Sequence, residues 1–115
     1  FIDTVIKLSQ EQPQVKIVND QFGKPTATKD LAQATYNLWR GKNQPGIYHI
    51  VNEGVASWYD VAKEVFRLKN IITPLVGITS AEYPVKAKRP QHAVLLNTKF
   101  PDLRPWQEAL REYLS

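Results

Sequence analysis

The chain has 115 residues, of which 43% are hydrophobic and 23% are charged, a composition typical of one globular domain. It contains no cysteine, so disulfide bridges, thiolate metal sites and cysteine nucleophiles are excluded. No apolar stretch approaches the ~20 residues that cross a bilayer, so we expect no membrane partner and a cytoplasmic location. The chain also lacks methionine and opens on an amphipathic helical pattern, which predicts a piece of a longer protein.

The net charge of +4 is concentrated in one segment. Residues 83–106 carry five basic side chains against one acidic side chain, whereas basic and acidic side chains balance in the rest of the chain. A local basic patch suits a phosphorylated small ligand or an acidic partner. Five basic side chains are too few to form the broad basic face of a nucleic-acid-binding protein, so we expect no nucleic-acid partner.

Helical and strand patterns alternate in the first third of the chain. Apolar residues at helical spacing predict a first helix that ends before Pro13, followed by a strand over 15–18. Turn-forming residues predict a loop over 19–25. Thr28 is then expected to be the N-cap of a second helix. The apolar face of this helix is predicted to consist of Leu31, Ala34, Leu38 and Trp39.

The middle of the chain predicts another strand and a capped helix. Residues 47–50 have the composition of a second strand. Ser57, with Asp60 three residues later, resembles a capping box at the start of a third helix. The inward face of this helix is predicted to consist of Val61, Ala62, Val65 and Phe66.

The last third predicts one more strand, an irregular segment and a final helix. The strand covers 75–78, and residues 82–101 are interrupted by prolines. Pro105 suits the first position of the last helix, whose inner face is expected to contain Trp106, Ala109, Leu110 and Tyr113. The order of elements predicts an α/β fold with one small, partly parallel sheet and flanking helices.

Two segments carry candidate binding residues. The loop over 20–28 follows a strand and precedes a helix, where ligands gather in open α/β proteins, and it offers a carboxylate, an amide, an aromatic ring and a lysine. Alternatively, it is a plain turn in which Asp20 and Gln21 tie the backbone together. The second segment is the basic loop 86–90, in which Arg89 suits phosphate oxygens. A solvated basic loop is the alternative, and the clustering of the net charge argues against it.

Other candidates are weaker. His49 and His92 lack metal-ligand spacing, so no metal site is predicted, and His49 is expected to be a packed core histidine. Trp58 is expected to pack near the Ser57 cap. The chain has no glycine-rich dinucleotide motif. Tyr59 and Lys63 have the spacing of a Tyr-x-x-x-Lys pair, which we interpret as a coincidence on an otherwise apolar helix.

Four segments of the chain together resemble the C-terminal part of the dTDP-4-dehydrorhamnose reductase family, within the extended short-chain dehydrogenase/reductases. They occur in the family's order and at similar spacing, and the resemblance covers essentially all 115 residues. The segments are residues 18–32, 46–49, 57–60, and 87–90 with 95–99.

The resemblance implies an enzyme with two domains, of which this chain is the C-terminal one. The family reduces the C4 keto group of dTDP-4-dehydro-L-rhamnose with NADPH or NADH, and its N-terminal Rossmann domain contains the cofactor fingerprint and the catalytic Tyr-x-x-x-Lys. Residues 1–115 then correspond to the substrate-binding C-terminal domain, with no catalytic residue in this chain and the Rossmann domain as its partner. The family further implies a dTDP-sugar ligand and leaves room for a homodimer and for magnesium at an interface.

The resemblance also assigns roles to particular residues. The basic position in the 86–90 loop is expected to contact the substrate diphosphate, and the 21–26 loop is expected to line the cleft. His92 stands where many members have serine, which departs from the family pattern. A non-catalytic relative remains the alternative, similar to a regulatory subunit of methionine adenosyltransferase that binds a partner enzyme. The predicted substrate-binding residues are Gln21, Phe22, Pro25, Thr26, Lys88 and Arg89.

Overall fold

The computed structural model describes all 115 residues of the chain. Four α-helices and six short strands alternate along it, with one 3-10 turn at Ser80–Glu82. None of the four helices is long and apolar enough to cross a bilayer. The elements are α1 (Ile2–Glu11), β1 (Val15–Val18), β2 (Phe22–Gly23), α2 (Thr28–Arg40), β3 (Asn52–Glu53), β4 (Ala56–Ser57), α3 (Trp58–Lys69), β5 (Leu75–Ile78), β6 (Leu103–Pro105) and α4 (Trp106–Leu114).

The strands form three two-stranded sheets, and this confirms the α/β fold class with small, partly parallel sheets. Strand β1 pairs with β5 in parallel, β3 pairs with β6 in parallel, and β2 pairs with β4 in an antiparallel manner. The prediction of a single sheet was wrong, as was the strand over 47–50. That segment has no regular structure, and Ile47 is 79% exposed, because no neighbouring strand pairs with it.

Helix α3 organises the core and begins as predicted. Ser57 Oγ accepts a hydrogen bond from Asp60 N (3.1 Å), and the Asp60 carboxylate accepts one from Ser57 N (2.8 Å), which confirms the capping box. The apolar residues of α3 contribute to two clusters of buried side chains. One contains Ala56, Val61, Val65, Trp106 and Leu110, and the other contains Val5, Val15, Ala62 and Phe66.

Helix α2 differs from its prediction. Its N-cap is Ala27 rather than Thr28, and no side chain caps it. Only Ala34 of the predicted apolar face is buried, whereas Leu31 and Trp39 are exposed. Polar contacts at its first turn anchor the helix instead of an apolar stripe.

The fully buried amide of Asn52 supplies those contacts. Its Oδ1 accepts a hydrogen bond from Ala27 N (2.9 Å), and its Nδ2 donates to Asp30 Oδ2 (2.7 Å) and to the Arg104 carbonyl (2.9 Å). Its backbone N–H donates to Thr26 Oγ1 (3.2 Å). One side chain therefore joins the start of α2 to β3 and β6.

Helix α4 begins one residue later than predicted. Pro105 ends β6 and is the N-cap of α4, so its ring precedes the first helical residue. Trp106, Ala109 and Leu110 are buried as expected. Tyr113 is exposed, because its hydroxyl reaches outward to the Asp3 carboxylate at 3.1 Å.

Gly54 has a conformation that a side chain would strain. Its φ is +97°, and a Cβ added there would lie 2.9 Å from Trp106 Cδ1. We expect Gly54→Ala to lower the free energy of unfolding by about 1–2 kcal/mol, measured by urea denaturation. Gly46→Ala is the matched control, since its Cβ would meet no atom nearer than 3.6 Å. Equal stability of both variants would contradict this expectation.

The folded chain also holds carboxylates that prefer the charged form. Two hydrogen bonds from the Arg104 guanidinium to Asp30, each 2.8 Å, lower the pKa of the Asp30 carboxyl. Hydrogen bonds from the Ser80 hydroxyl and backbone N–H likewise lower the pKa of Asp20.

A group whose pKa is lower in the folded state releases its proton on folding, so acid favours the unfolded chain. We expect the free energy of unfolding to fall as the pH drops from about 6 to about 3, with most of the loss below the ordinary carboxyl pKa values near 4. Urea denaturation across this range measures the effect. Asp30→Asn should show a shallower pH dependence than the wild type, and an identical or steeper dependence would contradict the assignment.

Candidate functional site

An open cleft of about 330 Å³ lies at the end of β2. Three parts of the chain form its walls: the turn that follows β1, the start of α3 with the strand β4 before it, and the end of the basic loop with Ala93 just after it. The volume is at the lower end of the range for small-molecule pockets. The lining residues are Gln21, Phe22, Gly23, Lys24, Pro25, Ala56, Ser57, Trp58, Val61, Arg89, Pro90 and Ala93.

Phe22 joins the two candidate segments. Its backbone N–H donates to the Gln91 carbonyl (2.7 Å), and its carbonyl accepts a hydrogen bond from Ala93 N (2.8 Å). Its ring stacks on His92, with ring centroids 5.7 Å apart and an angle of 11° between the planes. On its other side, Phe22 pairs with Ser57 of β4. Residues about 70 positions apart in sequence are thereby fixed on one cleft.

The first residues of the loop have structural partners as well. Gln21 Nε2 donates to Ser80 Oγ at 3.0 Å, and the Asp20 carboxylate accepts hydrogen bonds from Ser80 N (3.0 Å) and Ser80 Oγ (2.6 Å). Asp20 and Gln21 thus tie the loop to the turn after β5, as the alternative interpretation expected. Gln21 nevertheless contributes to the lining of the cleft.

The structure brings four of the six predicted binding residues into this cleft: Gln21, Phe22, Pro25 and Arg89. It does not bring Lys88 or Thr26 into the lining. Thr26 Oγ1 donates to the Lys24 carbonyl (3.1 Å) and accepts from Asn52 N, and the residue borders a second cleft of about 320 Å³ beside α4.

The structure locates the remaining aromatic and histidine candidates. Trp58 directly follows the Ser57 cap and packs against Phe1, with ring centroids 4.9 Å apart, but it is 48% exposed and also lines the cleft. His49 is exposed rather than packed in the core, because its segment does not form a strand. Tyr59 and Lys63 are both absent from the cleft lining.

Two lining side chains, Lys24 and Trp58, were not among the six predicted binding residues, although the lysine belongs to the loop that was expected to line the cleft. The signal for Lys24 is its place between Gly23 and Pro25 in the candidate loop, and the signal for Trp58 is its position directly after a helix cap. No group of three or more histidine, aspartate or glutamate side chains is arranged to hold a metal ion.

Comparison with known protein families places this cleft in a recognised domain. The model described as "RmlD substrate binding domain" matches residues 1–115. The chain belongs to this family. The match agrees with the resemblance found in the four sequence segments.

Two curated relatives of the RmlD substrate-binding domain align with nearly the whole chain. The Bacillus subtilis spore coat polysaccharide biosynthesis protein SpsK is 40% identical over 118 residues, which cover 99% of this chain and 41% of SpsK. The Escherichia coli K12 dTDP-4-dehydrorhamnose reductase is 32% identical over 130 residues, which cover 100% of this chain and 44% of that enzyme. The chain therefore spans about two fifths of the length of these relatives.

Solved structures confirm the fold. A dTDP-4-dehydrorhamnose reductase from Clostridium acetobutylicum superposes with a TM-score of 0.93 at 39% identity, over 99% of this chain and 42% of that one. The enzyme of this name from Bacillus anthracis, solved in complex with NADP, gives a TM-score of 0.91 at 28% identity, again over 42% of its chain. The RmlD domain described here thus has the architecture of one part of those reductases.

Proposed function

We propose that this chain is the substrate-binding part of an NADP(H)-dependent reductase that converts dTDP-4-dehydro-L-rhamnose to dTDP-L-rhamnose. The family match supports the substrate-binding role, and the relatives named as dTDP-4-dehydrorhamnose reductases support the substrate and the reaction. A homodimer and an interface magnesium ion stay predictions from the family resemblance.

One observation carries the proposal: the candidate loop and the basic segment meet on a single cleft. The guanidinium of Arg89 offers a fork of donors that matches phosphate oxygens. Phe22 and Trp58 offer apolar surface to the rest of a nucleotide sugar. This combination suits a ligand with a charged centre and less polar ends.

The chain lacks the glycine-rich sequence motif that is typical of nicotinamide-cofactor sites. None of its five glycines occurs in a Gly-x-Gly-x-x-Gly motif, which would let a backbone approach a pyrophosphate. We therefore assign cofactor binding and proton donation to the remainder of the parent protein. This chain holds the keto sugar in a fixed orientation toward that cofactor. Fixing the two reactants in one geometry lowers the activation barrier for hydride transfer.

Calorimetric titration of the 115-residue chain tests this division. We expect saturable binding of dTDP, no measurable binding of NADPH, and no oxidation of NADPH when dTDP-4-dehydro-L-rhamnose is added. Turnover above background, or binding of NADPH without binding of dTDP, would contradict the proposal.

A further inference from the structure

The ionisable side chains that line the cleft are all of one sign. Among the twelve lining residues, only Lys24 and Arg89 carry an ionisable group, and both are cationic. A concave surface with two cations and no acid in its lining attracts a ligand with at least two negative charges. A diphosphate has this charge within a short length.

Lys24 is unusually enclosed for a lysine. Its side chain is only 6% exposed, and it is held in the turn between Gly23 and Pro25. Lysine is almost never buried to this extent without a partner. The partner here is Glu53, whose carboxylate oxygens lie 3.3 Å and 3.5 Å from Lys24 Nζ.

The contact between Lys24 and Glu53 is a long one. Charge-assisted hydrogen bonds between an ammonium and a carboxylate are typically about 2.7–2.9 Å, which is shorter than either distance. The Glu53 side chain is also 48% exposed, so water stabilises its charge when the lysine moves away. An ammonium group has three donors, and Glu53 is the only acceptor of Lys24 Nζ in the structure.

We propose that Lys24 is a second phosphate-binding residue and holds the diphosphate of the nucleotide sugar together with Arg89. The inference rests on the proposed function, which supplies the ligand. Lys24 thereby takes the role that the sequence pattern suggested for Lys88, which does not line the cleft. When the diphosphate binds, the ammonium exchanges a Glu53 oxygen for a phosphate oxygen.

This exchange makes Glu53 a competitor of the ligand, so two substitutions should have opposite effects. Lys24→Met keeps the unbranched apolar part of the side chain but removes the ammonium group, and we expect dTDP to bind about tenfold more weakly. Glu53→Gln removes the competing charge, and dTDP should then bind more tightly than to the wild type. If the ion pair were purely structural, Glu53→Gln would change dTDP affinity by the same factor in the wild type and in Lys24→Met.

Calorimetric titration with dTDP at low and high sodium chloride tests the proposal in the 115-residue chain. Salt should weaken binding less in Lys24→Met than in the wild type, because one screened contact is missing, and Lys24→Arg should retain most of the affinity. Circular dichroism checks that each variant is folded.

The possible results distinguish a failure of the Lys24 assignment from a failure of the proposed function. If Arg89→Ala weakens dTDP binding while Lys24→Met leaves affinity and salt dependence unchanged, the role of Lys24 is overturned and the proposed function stands. If Lys24→Arg loses as much affinity as Lys24→Met, or Glu53→Gln binds no more tightly, the exchange is overturned. If the wild-type chain does not bind dTDP, the proposed function fails, and the inference fails with it.

Discussion

Replacing Arg89 with alanine is expected to weaken dTDP binding by about 10- to 150-fold. Loss of a hydrogen bond to a charged group costs about 1.5–3 kcal/mol, and a tenfold change in affinity corresponds to about 1.4 kcal/mol. Arg89 is exposed at the rim of the cleft, where it can reach a phosphate without leaving a buried group unpaired. The substitution should therefore change affinity and leave the stability of the fold nearly unchanged.

Isothermal titration calorimetry measures this effect, and Arg40→Ala is the matched control. Arg40 is also an exposed arginine, but it lies at the end of α2 and outside the cleft lining. Both substitutions remove one positive charge, so they separate a specific contact from the general attraction of the basic chain. An equal loss of affinity in the two variants would remove Arg89 from the site.

Asn52→Leu is expected to produce the largest loss of stability, about 3 kcal/mol in the free energy of unfolding. Leucine has a similar size but cannot form the side-chain hydrogen bonds of the amide. Ala27 N, the Arg104 carbonyl and one oxygen of Asp30 would each lose a partner at a site where the asparagine is fully buried. Unpaired buried groups are costly because they have also lost their contact with water.

Urea denaturation of the variant checks this loss, with Asn37→Leu as the control. Asn37 is exposed on α2, so its replacement should change the free energy of unfolding by less than about 0.5 kcal/mol. A small effect at position 52 would show that the start of α2 is not held by this amide.

The elements that were predicted correctly are those whose sequence signals all lie within one short segment. Helix α3 has its capping box and its apolar spacing within one short segment, and β1 and β5 are compact apolar runs beside turn formers. The failed strand over 47–50 has similar composition. Whether such a run pairs depends on a distant partner, and residues 47–50 have none; the backbone N–H and carbonyl of Val51, the next residue, bond to the Asn97 side chain.

The candidate site, too, depends on contacts between residues that are distant in the sequence. Each of the two segments was recognisable from its residue types, but the bridge between Phe22 and the residues around His92 joins positions far apart in the chain. Local pattern does not specify that pairing. For the same reason the sequence favoured Lys88, the neighbour of Arg89, whereas the folded chain places Lys24 on the cleft.

NMR spectroscopy shows directly whether dTDP binds in the cleft, because the three tryptophan indoles serve as internal probes. Trp58 lines the cleft, Trp39 is exposed on α2, and Trp106 is buried in the core. We expect added dTDP to shift the Trp58 indole signal and the backbone amides of Gly23 and Arg89, while the Trp39 indole stays unchanged. Shifts at Trp39 with none at Trp58 or the cleft amides would show that dTDP binds elsewhere on the chain, and the cleft would then not be the substrate site.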